Sequence, residues 1–93
     1  MTYEEEIRPL RDEINKLNEE IMERLAERVK LAREIGTVKT RHGRPIEDIS
    51  RETMVYYQVR ALAEEAGIDP GDVEKVFREI IELCTQAERE DQI

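Results

Sequence analysis

The chain has 93 residues, enough for one small domain, and 41% of them are charged whereas 39% are apolar. Four aromatic residues, with no Trp, and few turn signals disfavour a β-sandwich or a β-barrel. The net charge of −8 disfavours binding to nucleic acid or to an anionic membrane surface, because phosphate groups are repelled. We therefore expect a single all-α domain over residues 1–93.

A long first helix is predicted by apolar residues that recur in alternating steps of three and four. This stripe comprises Ile7, Leu10, Ile14, Leu17, Ile21, Leu25, Ala32 and Ile35. The pattern predicts a helix of about 35 residues, which is about 50 Å long, with Pro9 in its first turn. Two shorter helices cannot cover so long a stripe, so we expect a second copy of the chain to do so.

Two breaks divide the rest of the chain into a second and a third helix. At the first break, Gly43 ends a helix in the left-handed conformation and Pro45 disfavours helix at the preceding residue. The second helix is then predicted to be capped by Asp48 or Ser50. Its apolar stripe is formed by Val55, Val59, Leu62 and Ala66.

The second break is at residues 66–70, where Gly67 stops one helix, Asp69 caps the next and Pro70 takes its first position. The apolar face predicted for the third helix comprises Val73, Val76, Phe77, Ile80, Ile81, Cys84 and Ala87. The sequence thus predicts three helices, one long and two short, with no linker or repeat between them.

The numbers of cysteine and histidine residues limit which disulfides and metal sites the chain can form. A single cysteine, Cys84, permits neither an intrachain disulfide nor a cysteine-based zinc site, and a single histidine, His42, excludes paired-histidine metal ligation. No apolar run approaches the roughly 18 residues of a membrane span, and the N-terminal segment is acidic where a signal peptide would be basic. We expect a cytoplasmic protein without a metal site.

Charged residues occupy positions on the first helix where the stripe calls for apolar ones. Arg28 and Lys39 fall on the stripe, three turns and about 16 Å apart, and together could hold a small molecule with negative charge. Alternatively, both side chains extend along the stripe into solvent. Arg11 is about 25 Å from Arg28, so it could reach the same molecule only from an antiparallel partner helix. Otherwise Arg11 is a surface ion-pair residue.

The two shorter helices carry similar exceptions. Glu52 lies on the predicted buried face of the second helix, with Asp48 and Arg51 as neighbours at the helix start. The alternative for these three is a capping and ion-pair cluster. On the third helix, Cys84 and Glu88 continue the apolar face. They could equally be a small core residue and the point where this face reaches solvent.

Five segments, in this order and spacing, resemble the all-helical chorismate mutase family across nearly the whole chain. They are Leu10-Arg11-Asp12-Glu13-Ile14, Leu25-Ala26-Glu27-Arg28, Ile35-Gly36-x-x-Lys39, Arg44-Pro45-x-x-Asp48-x-x-Arg51-Glu52 and Phe77-x-x-Ile80-Ile81-Glu82. The resemblance implies a stand-alone three-helix chain that forms an intertwined six-helix homodimer, with the long helices antiparallel and each active site shared. It implies an isomerase that converts chorismate to prephenate in phenylalanine and tyrosine biosynthesis, without a cofactor or a metal.

The resemblance also implies roles for the candidate residues. Arg28 and Arg11 of the partner subunit would pair with the two substrate carboxylates, and Lys39 would reach the ether oxygen and a carboxylate. The hydroxyl end of the substrate would be held by Asp48 and Glu52, with Arg51 nearby. Cys84 and Glu88 stand where the family usually has Ser and Gln, so Glu88 could donate to the ether oxygen only when protonated.

Two other functions are compatible with the sequence. An isochorismate pyruvate lyase of the same fold would use much the same cationic pocket. A non-catalytic helical dimerisation module would merely tolerate polar residues at Arg28, Lys39 and Glu52. An assay for prephenate formation, set against pyruvate release from isochorismate, distinguishes these alternatives.

Overall fold

A computed structural model of the protein describes residues 1–90, and this part of the chain is helical, without a strand. The three helices are α1 (Tyr3–Arg41), α2 (Ile49–Ala66) and α3 (Pro70–Arg89). The predicted all-α class with one long and two shorter helices is therefore confirmed. None of these helices is both long enough and apolar enough to cross a membrane.

The start of α1 differs from the prediction. Thr2 caps the helix in a reciprocal capping box with Glu5, and α1 begins at Tyr3. Pro9 therefore lies in the second turn and not in the first. Its missing N–H leaves the Glu5 carbonyl without an intrahelical partner. This capping box pairs the backbone N–H groups of Thr2 and Glu5, and it starts α1 six residues before Pro9.

The joints between the helices agree with the prediction. Gly43, just after α1, has a φ of 64°, and Gly67, at the end of α2, has a φ of 74°. Both values fall in the left-handed region that glycine adopts without steric cost. Asp48 caps α2 by accepting a hydrogen bond from the Arg51 backbone N–H, and Ser50 lies inside the helix. Asp69 caps α3, with Pro70 at its first position.

Helix α3 packs against both α1 and α2. Ala32 of α1 forms the core of the first contact with Cys84 and Ala87, while the buried residues of α2 are Val59 and Ala63. Leu62 and Ala66, which were predicted on the buried stripe, are exposed, with Leu62 at 61%. The buried pair is four residues apart and forms a narrow face, so only one row of α2 is covered within a single chain.

The N-terminal half of α1 has no cover in the single chain. All residues from 8 to 24 are exposed, and the apolar stripe there is about half accessible, from 51% at Leu17 to 59% at Leu10. The molecule is 62 Å long but only 27 and 15 Å across. The apolar stripe of residues 8–24 is therefore exposed along one end of an elongated molecule.

A polar cluster joins α2 to α3 on the outer surface. Arg60 of α2 and Arg78 of α3 both form ion pairs with Glu74, and the Arg78 guanidinium stacks on the Tyr56 ring at 4.5 Å from its centroid. The hydrogen bond from Arg78 to Glu74 lowers the pKa of that carboxyl. This cluster lies outside the cavity described next.

Candidate functional site

One cavity of about 480 Å³ brings together residues of all three helices and of the loop between α1 and α2. Its charged lining residues are Arg28, Lys39, Asp48, Arg51, Glu52 and Glu88. Cys84 also lines the cavity, so seven of the eight candidate residues meet there. The volume is in the range of small-molecule sites, which are typically about 300–1,000 Å³.

Lys39, near the end of α1, has two partners inside the cavity. Its Nζ donates a hydrogen bond to the carbonyl oxygen of Ile46 at 2.6 Å and lies 2.6 Å from Glu88 Oε1. The side chains of Lys39 and Glu88 are only 21% and 13% exposed. The ammonium and the carboxylate therefore form a close, largely buried ion pair between α1 and α3.

Arg28 reaches the opposite helix at Cys84. Its Nη1 donates to the Cys84 Sγ at 3.0 Å, a contact between residues that are 56 positions apart in sequence. Cys84 is 6% exposed and packs with Ala32 and Ala87, as the core interpretation predicted, yet it also lines the cavity. Neutral sulfur is a weak acceptor, so the guanidinium retains strong donors for a carboxylate.

The start of α2 supplies the remaining acidic groups. Asp48 Oδ1 accepts from the Arg51 backbone N–H at 3.0 Å, so the capping interpretation of Asp48 is confirmed. Asp48 and Arg51 are exposed and Glu52 is half-buried, and all three line the cavity. Carboxylates accept hydrogen bonds from hydroxyl groups, whereas Arg28 and Lys39 attract anions. The cavity is thus suited to a small molecule that carries both kinds of group.

Arg11 is not part of this cavity. It is exposed, on the bare half of α1, and lies 17 residues before Arg28, which is about 25 Å along the helix. A single chain therefore cannot bring Arg11 to a ligand held between Arg28 and Lys39.

One known protein family matches most of the chain. The family model described as chorismate mutase type II matches residues 10–89. The chain belongs to this family. The match includes all eight candidate residues, Arg11 among them, and so the resemblance stated from the sequence is confirmed.

Relatives of this chorismate mutase-type domain differ greatly in length. A bifunctional chorismate mutase/prephenate dehydratase of Aquifex aeolicus is 36% identical over 88 residues, which are 91% of this chain but 24% of the relative. A T-protein of Haemophilus influenzae is 37% identical over 84% of this chain and 21% of its own length. The chain thus spans a quarter or less of these two relatives. By contrast, a chorismate mutase of Methanocaldococcus jannaschii is 32% identical over 84% of this chain and 79% of the relative.

The structure of this family member adds a residue that the sequence analysis quoted without assigning it a role. Gly36 is buried on α1, against the backbone of α3 at Glu88. Its sequence signal is a glycine inside a long helix, where glycine costs roughly 0.5–1 kcal/mol relative to alanine. Thr85, which is 9% exposed and lines the cavity, gave no such signal, because threonine on a helix is unremarkable in sequence.

Proposed function

We propose that the chain is a chorismate mutase, as the name of its Methanocaldococcus jannaschii relative states for that protein, and that it converts chorismate to prephenate in the synthesis of phenylalanine and tyrosine. The observation that carries this proposal is the cavity that brings Arg28, Lys39 and Glu88 together from two helices. Membership of the type II chorismate mutase family supports it. Because the reaction is an intramolecular rearrangement, it needs a site that orients and stabilises and does not require a nucleophile.

Catalysis in this proposal has two parts. Arg28 binds a substrate carboxylate through its guanidinium fork, while Asp48 and Glu52 accept from the hydroxyl group, and these contacts hold the substrate in its compact reactive conformer. As one C–O bond breaks and one C–C bond forms, negative charge develops on the ether oxygen. Lys39 stabilises that charge with a donor already held in place by the Ile46 carbonyl and by Glu88.

The first test is an assay on the purified chain. Chorismate absorbance should decrease while prephenate accumulates, and isochorismate should release no pyruvate. Pyruvate release without prephenate formation would show that the chain is a lyase, and the absence of both reactions would show that it is a binding or dimerisation module.

We further propose that the active unit is an intertwined six-helix homodimer with the long helices antiparallel, in which Arg11 of the partner subunit completes each site. The bare half of α1 supports this, because its apolar stripe is exposed over residues 8–24 and is continuous with the covered half. An antiparallel copy would bury both bare halves and bring Arg11 across the roughly 25 Å that separates it from Arg28. We place this dimer in the cytoplasm, where the unpaired Cys84 would stay reduced.

The dimer leads to a prediction about mass. Light scattering at micromolar concentration should give twice the chain mass of 11.0 kDa, because exposing the α1 stripe in a monomer opposes folding. Replacing Leu17, at the middle of the stripe, by Glu should yield monomers or unfolded chains without activity. Replacing the exposed Met22, which is off the stripe, by Glu is the matched control and should leave the dimer intact. A stable monomer with full activity would contradict both the dimer and the shared site.

Glu88 leads to a prediction about hydrogen-bond donation. As a carboxylate beside Lys39 it is an acceptor, whereas an amide of the same size also donates. Glu88→Gln should therefore keep kcat at or above the wild-type value, because the amide can donate to the ether oxygen. The measurement is kcat for both proteins, with Glu82→Gln on the exposed face of α3 as the control. A large loss of kcat in Glu88→Gln alone would show that the charge of Glu88, and not donation, is what matters.

A further inference from the structure

The backbones of α1 and α3 approach each other closely beside the Lys39–Glu88 ion pair. A Cβ built on Gly36 would lie 2.3 Å from the Glu88 carbonyl oxygen, 2.8 Å from its Cα and 2.9 Å from its carbonyl carbon. These are backbone atoms, which cannot rotate away as the end of a side chain can. No residue larger than glycine therefore fits at position 36 unless the two helices move apart.

The helix geometry does not itself require glycine at this position. Both positive-φ glycines lie in the turns, and Gly36 has ordinary helical dihedrals. Glycine weakens a helix interior relative to alanine, so its presence in α1 needs another reason. The close approach to Glu88 supplies that reason.

Gly36 also lies one turn before Lys39 on the same side of α1, and its carbonyl accepts a hydrogen bond from the Thr40 hydroxyl at 2.9 Å. The contact between Gly36 and Glu88 thus fixes the backbone position of Lys39 on α1 relative to that of Glu88 on α3. We propose that Gly36 is a positioning residue, which sets the helix spacing that places the Glu88 carboxyl beside the Lys39 ammonium at the reacting atoms. The inference rests on the proposed mutase activity.

The size of the effect follows from the geometry. Restoring an ordinary van der Waals contact of 3.4 Å from 2.3 Å requires the Glu88 backbone to retreat by about 1 Å. A displacement of that size in a positioned group can lower a rate by about 100-fold. Gly36→Ala should therefore lower kcat by about 10- to 100-fold and change KM much less.

Two comparisons separate positioning from a general loss of packing. Ala63→Val overfills another buried position, on α2 and outside the cavity, so it should lower the Tm as Gly36→Ala does but keep the wild-type kcat. In the double variant Gly36→Ala/Glu88→Ala, kcat should equal that of Glu88→Ala alone. Once the carboxyl has been removed, moving the backbone that carried it has no further effect on kcat. A wild-type kcat in Gly36→Ala, an equal loss in Ala63→Val, or losses that multiply in the double variant would each overturn the proposal.

A further variant covers the case in which Gly36→Ala does not fold. Glu88→Asp draws the carboxyl back by one methylene, about 1.5 Å, and leaves the backbone contact at Gly36 intact. It should lower kcat in a protein that still folds, and a wild-type kcat would overturn the proposal. A wild-type chain that forms no prephenate would instead refute the proposed function, so the two failures are distinguishable.

Discussion

Replacing Lys39 by Ala should lower kcat by about 100-fold or more, which is a loss of about 2.7 kcal/mol of transition-state stabilisation. The ammonium is held in the cavity by the Ile46 carbonyl and the Glu88 carboxylate, each 2.6 Å away. The ether oxygen gains negative charge only as the C–O bond breaks, so a fixed positive charge there favours the transition state over bound chorismate. Steady-state kinetics of chorismate consumption measure the effect.

The control for this variant is Lys30→Ala, which removes an equal charge from an exposed position on the same helix and should leave kcat within about twofold of wild type. Lys39→Ala also removes the cation beside a carboxylate that is only 13% exposed. We expect the free energy of unfolding to fall by about 1–3 kcal/mol as a result, so the kinetics are measured where circular dichroism shows a folded variant. A rise in KM with an unchanged kcat would show that Lys39 only binds a carboxylate.

The parts of the fold that the sequence predicts are those set by neighbouring residues. The cap at Asp48, the stop at Gly67 and the Asp69-Pro70 start depend on side chains within three or four positions, and all three are confirmed. The start of α1 was predictable on the same basis, since Thr2 and Glu5 have the spacing of a capping box. The prediction placed Pro9 in the first turn and did not use that pair.

The cavity was predictable in composition but not in geometry. Charged residues on apolar stripes pointed to Arg28, Lys39 and Glu52, because a buried charge without a role is costly. The pairing of Lys39 with Glu88 depends on the register between α1 and α3, which periodicity within one helix does not specify. The contact of Gly36 with α3 depends on the same register.

An apolar stripe also shows that a face is to be covered without showing what covers it. The stripe of α1 is continuous from Ile7 to Ile35, yet within one chain its deepest burial is at Ala32, where α3 packs, and residues 8–24 remain exposed. On α2, Leu62 is 61% exposed for the same reason. The uncovered parts are the surfaces that the proposed second copy would bury.

The second large effect concerns the two arginines of the shared site. Arg11→Ala and Arg28→Ala should each lower activity by about 100-fold or more, because either change leaves a substrate carboxylate without its guanidinium partner. Arg11 is exposed and absent from the cavity of its own chain, so its loss would have no such effect on a site built from one chain. Arg8→Ala, one turn earlier on the same exposed segment, is the control and should retain wild-type activity.

Mixing the two inactive proteins distinguishes a shared site from a site within one chain. After joint unfolding and refolding, about half of the dimers should contain one chain of each kind, and each such dimer has one site with both arginines and one with neither. Activity should therefore recover to about a quarter of the wild-type value. The matched mixture of Arg28→Ala with Lys39→Ala should recover nothing, because Arg28 and Lys39 line the same cavity of one chain and every mixed dimer keeps two broken sites. Equal behaviour of the two mixtures, with mixed dimers demonstrated by mass spectrometry, would exclude a role for Arg11 across the dimer.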